Sequence, residues 1–153
     1  MIFRGIHNVN MDTKGRFAMP VRYRDAFASE NDSQMIVTID IQSPCLLIYP
    51  LDTWLDIEAK LQALPGLNAS SRRLQRLMLG YASEVDLDNN GRILLPLALR
   101  DYGHFEKKLM LVGQGSKFEL WSELLWHNET QKAIEDAHNG DLSIPDDLQQ
   151  IVL

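Results

Sequence analysis

Apolar and polar residues alternate on both sides of a glycine turn near the amino terminus. Val9 and Met11 alternate with Asn and Asp before the turn, and Phe17 and Met19 alternate with Arg and Ala after it. Period-two patterning around a turn rich in Asp, Lys and Gly is typical of a β-hairpin. The pattern therefore predicts a hairpin with one buried face and one polar face.

The hairpin pattern recurs at a constant spacing of 76 residues. Residues 12–20 read DTKGRFAMP and residues 88–96 read DNNGRILLP, with Asp, Gly, Arg and Pro at the same places. The same spacing pairs Arg24 with Arg100, and a spacing of 72 residues relates later positions. Such self-similarity predicts two related units.

The repeat divides the chain into four segments. We place a first module at residues 5–54, a helical linker at 55–80, a second module at 81–126, and a C-terminal helix with a tail at 127–153. The proline after each hairpin suits the first turn of a helix. Further helices and strands are predicted from periodicity and apolar runs. The helices are expected at residues 21–27, 52–64, 71–81, 97–102 and from Ser122 through Ala133, and the added strands at residues 34–40, 44–50, 108–114 and 117–122.

A unit of about fifty residues with four short strands buries too little apolar surface to be stable alone. We therefore expect an α+β fold, mainly β with flanking helices, in which the two modules interlock into one barrel. Leu94 is apolar where Ala18 stands in the first module. The second hairpin is accordingly expected to be covered on both faces.

Composition narrows the class of protein. A chain of 153 residues with 45% hydrophobic and 24% charged residues has the makeup of a globular protein. No apolar run reaches the roughly 20 residues of a membrane helix, and the first residues lack the apolar core of a signal peptide. The single cysteine, Cys45, excludes an internal disulfide and a thiolate-rich metal site. We expect a cytoplasmic protein with no cofactor and no metal.

Charge changes this picture because it is segregated along the chain. The net charge of −6 argues by itself against nucleic acid as a partner. Residues 4–24 nevertheless carry five cations and one acid, and residues 59–83 carry four cations and no acid. Residues 101–153 carry four cations and ten acids. The basic N-terminal part of the chain is therefore predicted to bind an anionic partner, and the acidic C-terminal part is not.

Two interpretations of the first Asp-x-x-x-Arg pattern are open. In the first, Asp12 and Arg16 form an exposed ion pair, worth about 0–1 kcal/mol. In the second, Arg16 projects from the polar face of the hairpin and binds an anionic partner, and Lys14 lies at the tip of the same hairpin. The second interpretation is favoured because the cations of this segment exceed what one acid can pair, and like charges held together lower stability.

DNA fits the geometry expected of this hairpin. A two-stranded ribbon enters the major groove of double-stranded DNA, where an arginine binds O6 and N7 of guanine with two hydrogen bonds. We therefore predict Arg16 as the base-reading residue. Lys14, Arg22 and Arg24 are predicted to bind phosphates, and Arg4 belongs to the same basic segment. So small a patch binds weakly, which predicts several subunits on several adjacent sites.

The second copy of the pattern stands in an acidic context. Arg92 shares its face with Glu84, Asp86 and Asp88. We therefore predict that Asp88 and Arg92 form a structural pair or a secondary DNA contact. The two copies would then share an evolutionary origin but have different functions.

The doubled DTKGRFAMP and DNNGRILLP, together with RGIHNVN, RYRDAF and LMLVGQGSKFELWSE, resemble the MraZ family of bacterial transcriptional regulators. The resemblance implies tandem AbrB-type swapped-hairpin modules interlocked into a double-split β-barrel, and a ring-shaped homo-oligomer. It also implies repression of a cell-division and cell-wall gene cluster through short guanine-containing direct repeats upstream. The family's Asp-x-x-x-Arg signature falls on Asp12 and Arg16, and again on Asp88 and Arg92.

Other functions find less support in the sequence. A protein-interaction module of antitoxin type expects an exposed apolar tail, and the stretch IPDDLQQIVL at the end is short. An enzyme is not expected, because no nucleophile, base and anion-stabilising donors can be assembled. We thus expect a regulator associated with the nucleoid in the cytoplasm, with no membrane partner and no small-molecule substrate.

Overall fold

The computed structural model describes residues 2–28, 34–142 and 151. The final stretch IPDDLQQIVL (residues 144–153) lies outside the described residues except for Ile151. Eight strands and five helices are found in the described part. In chain order they are β1 (Ile6–Asn10), β2 (Arg16–Ala18), α1 (Val21–Ala28), β3 (Gln34–Ile39), β4 (Leu46–Pro50), α2 (Leu51–Gln62), α3 (Ala69–Gly80), β5 (Ser83–Asp86), β6 (Arg92–Leu94), α4 (Leu97–Tyr102), β7 (Lys108–Gly113), β8 (Phe118–Ser122) and α5 (Glu123–His138).

The predicted helices are confirmed. Four of them have boundaries that differ by at most two residues, and α5 continues to His138, five residues beyond Ala133. Pro50 and Pro96 directly precede α2 and α4, as expected of a residue whose backbone angle suits a helix start. α3 begins two residues earlier than expected because the Asn68 side chain accepts hydrogen bonds from the backbone N–H groups of Ser70 and Ser71. Asparagine is among the best residues at this capping position.

The predicted hairpins form only at their tips. Within the first repeat the two strands meet at one bridge, between Met11 and Phe17. β1 instead pairs with β7 over five positions, and β2 pairs with β6 over three. The expectation of a local two-stranded hairpin was therefore wrong beyond the turn. β7 offers β1 a longer ladder than the three-residue β2 can, and more backbone groups are satisfied.

Four of the six strand pairings in the described part of the chain join the two repeats. The six-stranded antiparallel sheet has the order β1-β7-β8-β4-β3-β5. Exchanging each strand for its repeat counterpart leaves this order unchanged, so the sheet has an internal two-fold pseudosymmetry. In the described part the sheet is open, with β1 and β5 at its edges, and β2 and β6 form a separate two-stranded ribbon. The fold is α+β and mainly sheet, and no closed barrel is seen among these strands.

One apolar core is shared by both repeats. Phe17 and Ile93, directly opposite each other in the β2–β6 ribbon, are both buried in it. Met19 and its repeat counterpart Leu95 are also fully buried there. Because neither repeat encloses this core alone, removing either would expose the other's apolar surface to water.

A second apolar cluster lies on the other face of β3 and β4. Trp54 and Leu61 of α2 and Met78 of α3 pack against alternate residues of the two strands. Thr38 of β3 is completely buried and donates a hydrogen bond of 2.7 Å to the carbonyl oxygen of Met78. Burial on both faces explains why these strands read as continuous apolar runs rather than as alternating ones.

The chain divides into two compact units, Met1–Glu123 and Leu124–Leu153. The first unit contains both repeats and both apolar clusters. The second unit contains all of α5 after its first residue, and no residue of that helix is buried. No helix in the described ranges combines the length and apolarity needed to cross a bilayer.

We expect Gly113→Ala to destabilise the protein by about 1–3 kcal/mol, the usual range for overpacking. A Cβ added at Gly113 would lie 2.4 Å from the backbone nitrogen of Arg4, which cannot move without disturbing the start of β1. Urea-induced unfolding measures the change.

Gly80→Ala is the matched control for that substitution. A Cβ added at Gly80, the last residue of α3, meets no described atom within 4 Å. Lower backbone entropy in the unfolded chain should then raise stability by about 0.4–1 kcal/mol. Equal stability of the two variants would contradict the close approach of β7 to Arg4.

Candidate nucleic-acid interface

The first Asp-x-x-x-Arg turn is closed by one aspartate. The Asp12 Oδ1 atom accepts hydrogen bonds from the backbone N–H groups of Lys14, at 3.0 Å, and Arg16, at 2.9 Å. Its Oδ2 atom accepts from Arg16 Nε at 2.8 Å. Gly15 takes a φ of +89° within this turn, a conformation that favours glycine. The aspartate thus folds the turn and orients the arginine at the same time.

The second turn has the same geometry. Asp88 Oδ1 accepts from the backbone N–H groups of Asn90 and Arg92, both at 2.8 Å, and Oδ2 accepts from Arg92 Nε at 2.9 Å. Gly91 has a φ of +72°. The spacing in the sequence is therefore explained: the aspartate must reach its own turn and the guanidinium of residue i+4 together. An ion pair alone would not require the glycine.

Hydrogen bonds in the turns favour the ionised aspartates. The backbone N–H of Arg16 is the main cause that lowers the pKa of Asp12 below its ordinary value of 3.8. The backbone N–H of Arg92 has the same leading effect on the pKa of Asp88. Partial removal from water opposes both shifts without reversing them. Both turns are therefore formed in their charged state at neutral pH.

The β2–β6 ribbon presents both signature arginines on one face. Arg16 lies opposite Leu94, and Ala18 lies opposite Arg92. Phe17 and its partner point into the core, so the four flanking residues share the outer face. The two arginines are on adjacent strands and are offset by two residues along the strand direction. Their Cα atoms therefore lie about 8 Å apart. Neither repeat could build this two-arginine face by itself.

The outer face of the ribbon is accessible. The side chains of Arg16 and Arg92 are 29% and 32% exposed, respectively. Leu94 is 56% exposed, so the expectation that the second hairpin is covered on both faces was wrong for this chain. The terminal amino groups of both arginines have no acceptor among the described residues, because each ion pair uses only Nε.

The other predicted site residues fall into separate places. Arg22 lies over the ring of Tyr23, with Cζ 4.9 Å from the centroid, and the Tyr23 hydroxyl donates to the carbonyl oxygen of Arg4. Arg4 precedes β1 and Asp12 follows it, so a strand about 13 Å long separates Arg4 from the first turn. Arg4, through its backbone, and Arg22, through its side chain, therefore both contact Tyr23.

Arg24 lies against the turn of the other repeat. Its Nε donates to the carbonyl oxygen of Met19 at 2.6 Å, and a Cβ added at Gly91 would lie 2.4 Å from that Nε. Arg100 has the equivalent position over Gly15. The sequence reasoning did not predict Arg100 as a site residue, although the 76-residue register already paired it with Arg24.

Two grooves flank the ribbon, and their linings differ in charge. Lys14 and Arg100 line a groove of about 440 Å³ together with Glu84 and Asp86. No ion pair within 4.0 Å joins these side chains in the described part of the chain. The related groove of the first repeat has Arg24 in its lining, with Asn residues at the positions of the two acids. The two β5 acids therefore line the groove beside the first turn, and Arg92 is not part of that lining. The acidic context expected for Arg92 is found beside Lys14 instead.

One group of side chains has the atoms of a metal site. The ligand atoms of Asp40, Cys45 and Glu119 lie within 4.8 Å of one another. The thiol of Cys45 is buried and donates to Asp40, and Glu119 accepts from the indole N–H of Trp121. Burial and the charges of Asp40 and Glu119 raise the pKa of the nearby Tyr49 to about 12. Hydrogen bonds within the protein account for this cluster.

Comparison with known proteins gives a consistent match over both repeats. A family model described as "MraZ protein, putative antitoxin-like" matches residues 2–77 and again residues 78–143. A Tolumonas auensis protein is 49% identical over 152 residues, covering 99% of this chain and all of its own. A Shewanella sediminis protein is 53% identical over 142 residues, 93% of each chain, and a Hydrogenovibrio crunogenus protein is 48% identical over 143 residues, 94% of each. All three are named transcriptional regulator MraZ.

The lowered pKa values of Asp12 and Asp88 predict that these two aspartates cause part of the loss of unfolding free energy at low pH. A carboxyl whose folded pKa lies below its unfolded value stabilises the fold fully above the unfolded value, near 3.8. This stabilisation is lost as pH falls from there through the folded pKa. We expect the Asp12→Asn, Asp88→Asn double variant to lack that part of the decline in unfolding free energy, measured with urea from pH 7 down to pH 2.5.

Asp101→Asn provides the control, because Asp101 is an exposed aspartate of α4 outside both turns. Its unfolding free energy should follow the wild-type profile. If the unfolding free energy of the double variant fell at low pH as steeply as that of the wild type, the turns would not depend on ionised aspartates.

Proposed function

Because the chain belongs to the MraZ family, we propose that it is a sequence-specific DNA-binding transcription regulator. We propose repression as its action, through short guanine-containing direct repeats upstream of a cell-division and cell-wall gene cluster. The observation that carries the proposal is the accessible face of the β2–β6 ribbon, with Arg16 held in one orientation by Asp12.

The ribbon meets the requirements for reading a major groove. That groove is about 12 Å wide and admits a two-stranded β-ribbon. Arg16 binds Asp12 through Nε, so its two terminal amino groups remain to donate to O6 and N7 of a guanine. Holding the guanidinium before DNA arrives lowers the side-chain entropy lost on binding. We assign base reading to Arg16 because its turn also carries Lys14, where the second turn has Asn90.

The remaining cations suit the DNA backbone. Lys14 is exposed at the tip of the first turn. Arg4 and Arg22, beside Tyr23, are both exposed and are displaced from the ribbon. Arg24 binds Met19 through Nε only, which leaves its terminal amino groups for a phosphate. Asp88 and Arg92 repeat the geometry of the first turn and supply a secondary DNA contact or a structural pair.

We further propose that the two modules, residues 5–54 and 81–126, form the interlocked swapped-hairpin unit of a double-split barrel. The pairing of β1 with β7, β2 with β6, and β3 with β5 supports this arrangement. The helical linker (residues 55–80) and the C-terminal segment (residues 127–153) lie outside it. The protein would act in the cytoplasm at the nucleoid.

A ring-like homo-oligomer completes the proposal. The net charge of −6 opposes strong DNA binding by one subunit. Several subunits on adjacent repeats raise the effective concentration of each further contact, so that affinity grows with the number of repeats.

A protein-interaction module of antitoxin type is the second candidate. The matching family model carries the words "antitoxin-like" in its description. Val21 and its counterpart Leu97 are also exposed, at 67% and 61%. Purification from the native host tests this candidate, because co-purification of a stoichiometric protein partner would favour it.

We expect Arg16→Ala to reduce the preference for repeat DNA over scrambled DNA by about 5- to 150-fold, the value of one bidentate arginine–guanine contact. Folding and assembly should be unchanged, because the side chain is outside the core. Fluorescence anisotropy at fixed salt gives the ratio, and sedimentation gives the assembly state. Arg92→Ala is the matched variant and should change the ratio less. Full retention of specificity by Arg16→Ala would overturn the assignment.

The number of repeats should determine affinity more strongly than any single residue. We expect binding to rise steeply from one repeat to two and three, and to weaken with added salt as counterions are released. A titration of each DNA at four salt concentrations measures both effects. Equal affinity for one and three repeats would exclude the multivalent mode.

A further inference from the structure

An arginine from each short helix covers the turn of the opposite repeat. Gly15 is buried, and a Cβ added there would lie 2.7 Å from Nε and 2.8 Å from Cζ of Arg100. The guanidinium of Arg100 therefore lies directly against the turn that carries Arg16. Since Arg100 belongs to α4, this contact comes entirely from the second repeat.

Hydrogen bonds fix this contact from both sides. Arg100 Nε donates to the carbonyl oxygen of Leu95 at 3.0 Å. The backbone N–H of Leu95 donates to the carbonyl oxygen of Gly15 at 2.9 Å. A continuous path thus runs from α4 through Leu95 to Gly15, the residue before Arg16. Leu95 is fully buried, so the path is anchored in the core.

The first repeat makes the reciprocal contact. Arg24 Nε donates to the carbonyl oxygen of Met19 at 2.6 Å, and the backbone N–H of Met19 donates to the carbonyl oxygen of Gly91 at 2.9 Å. The same arrangement therefore occurs twice, related by the internal pseudosymmetry. It explains why the sequence repeats an arginine eight residues after each signature arginine.

We propose that Arg100 is a positioning residue for DNA reading, which acts by holding the turn from which Arg16 projects. Asp12 fixes the guanidinium of Arg16, and Arg100 fixes the backbone beneath it. The inference rests on the proposed function of Arg16. The turn that carries Arg16 would then depend on both repeats, and Arg100 would contribute to sequence specificity without contacting a base.

The guanidinium shape separates positioning from a simple phosphate contact. A lysine retains the positive charge but lacks the planar group and the Nε donor that binds Leu95. Positioning predicts that Arg100→Lys and Arg100→Met both lower the preference for repeat DNA over scrambled DNA at least fivefold. A phosphate contact predicts that Arg100→Lys behaves like wild type, and that Arg100→Met weakens both DNAs equally with a shallower salt dependence.

Arg24→Met is the matched control, because it removes the same contacts from the other turn. It should weaken both DNAs alike, with the preference changed less than twofold. Hydrogen exchange followed by mass spectrometry gives a readout without DNA. Amides of residues 12–18 should exchange faster in Arg100→Met, and amides of residues 88–94 should exchange faster in Arg24→Met.

The outcomes distinguish this inference from the proposed function. Loss of specificity in Arg16→Ala with none in Arg100→Met would overturn the positioning role and leave the proposed function standing. Retained specificity in Arg16→Ala would overturn the proposed function itself. If Arg100→Met does not fold, Arg100→Lys decides the question, because unchanged specificity and unchanged exchange of residues 12–18 in that variant also overturn the positioning role.

Discussion

Backbone hydrogen bonding between the repeats is the constraint on which this structure depends. The first strand of each repeat makes little contact with the second strand of its own repeat. It forms a continuous ladder with the third strand of the other repeat instead: β1 pairs with β7, and β5 pairs with β3. Buried N–H and C=O groups must be paired, so each repeat needs the other before it can bury its apolar face. We therefore expect neither repeat to fold alone, and the shared core follows from the pairing.

The Asp-x-x-x-Arg signature does two things with one carboxylate. One oxygen of Asp12 binds backbone N–H groups and shapes the turn, and the other binds Arg16 Nε. The ion-pair interpretation and the DNA-reading interpretation are therefore compatible. A guanidinium held at Nε presents its terminal amino groups in a defined direction, which suits recognition of an acceptor pair such as the edge of guanine. The aspartate contributes little to global stability as an exposed ion pair and much to the direction of the arginine.

The duplication also distributes the parts of each turn between repeats. Gly15 carries no side chain because Arg100 occupies the adjacent space, and Gly91 has the same relation to Arg24. Each turn therefore depends on a residue of the other repeat. The different linings of the two flanking grooves, acidic beside one turn and amide-bearing beside the other, show where the copies have diverged.

The sequence by itself determined the elements that depend on local patterns: the helices after each proline, the apolar strands, the glycine turns and the repeat. It also identified Asp12 and Arg16 as one constellation, because the two are neighbours in the chain. Only the tertiary structure decided which strands pair, since a period-two pattern states which face is buried and not which edge is satisfied. For the same reason it alone placed Arg92 beside Arg16, brought Arg100 onto Gly15 and separated Arg4 from both. Those relations join residues far apart in the chain, and local spacing carries no information about them.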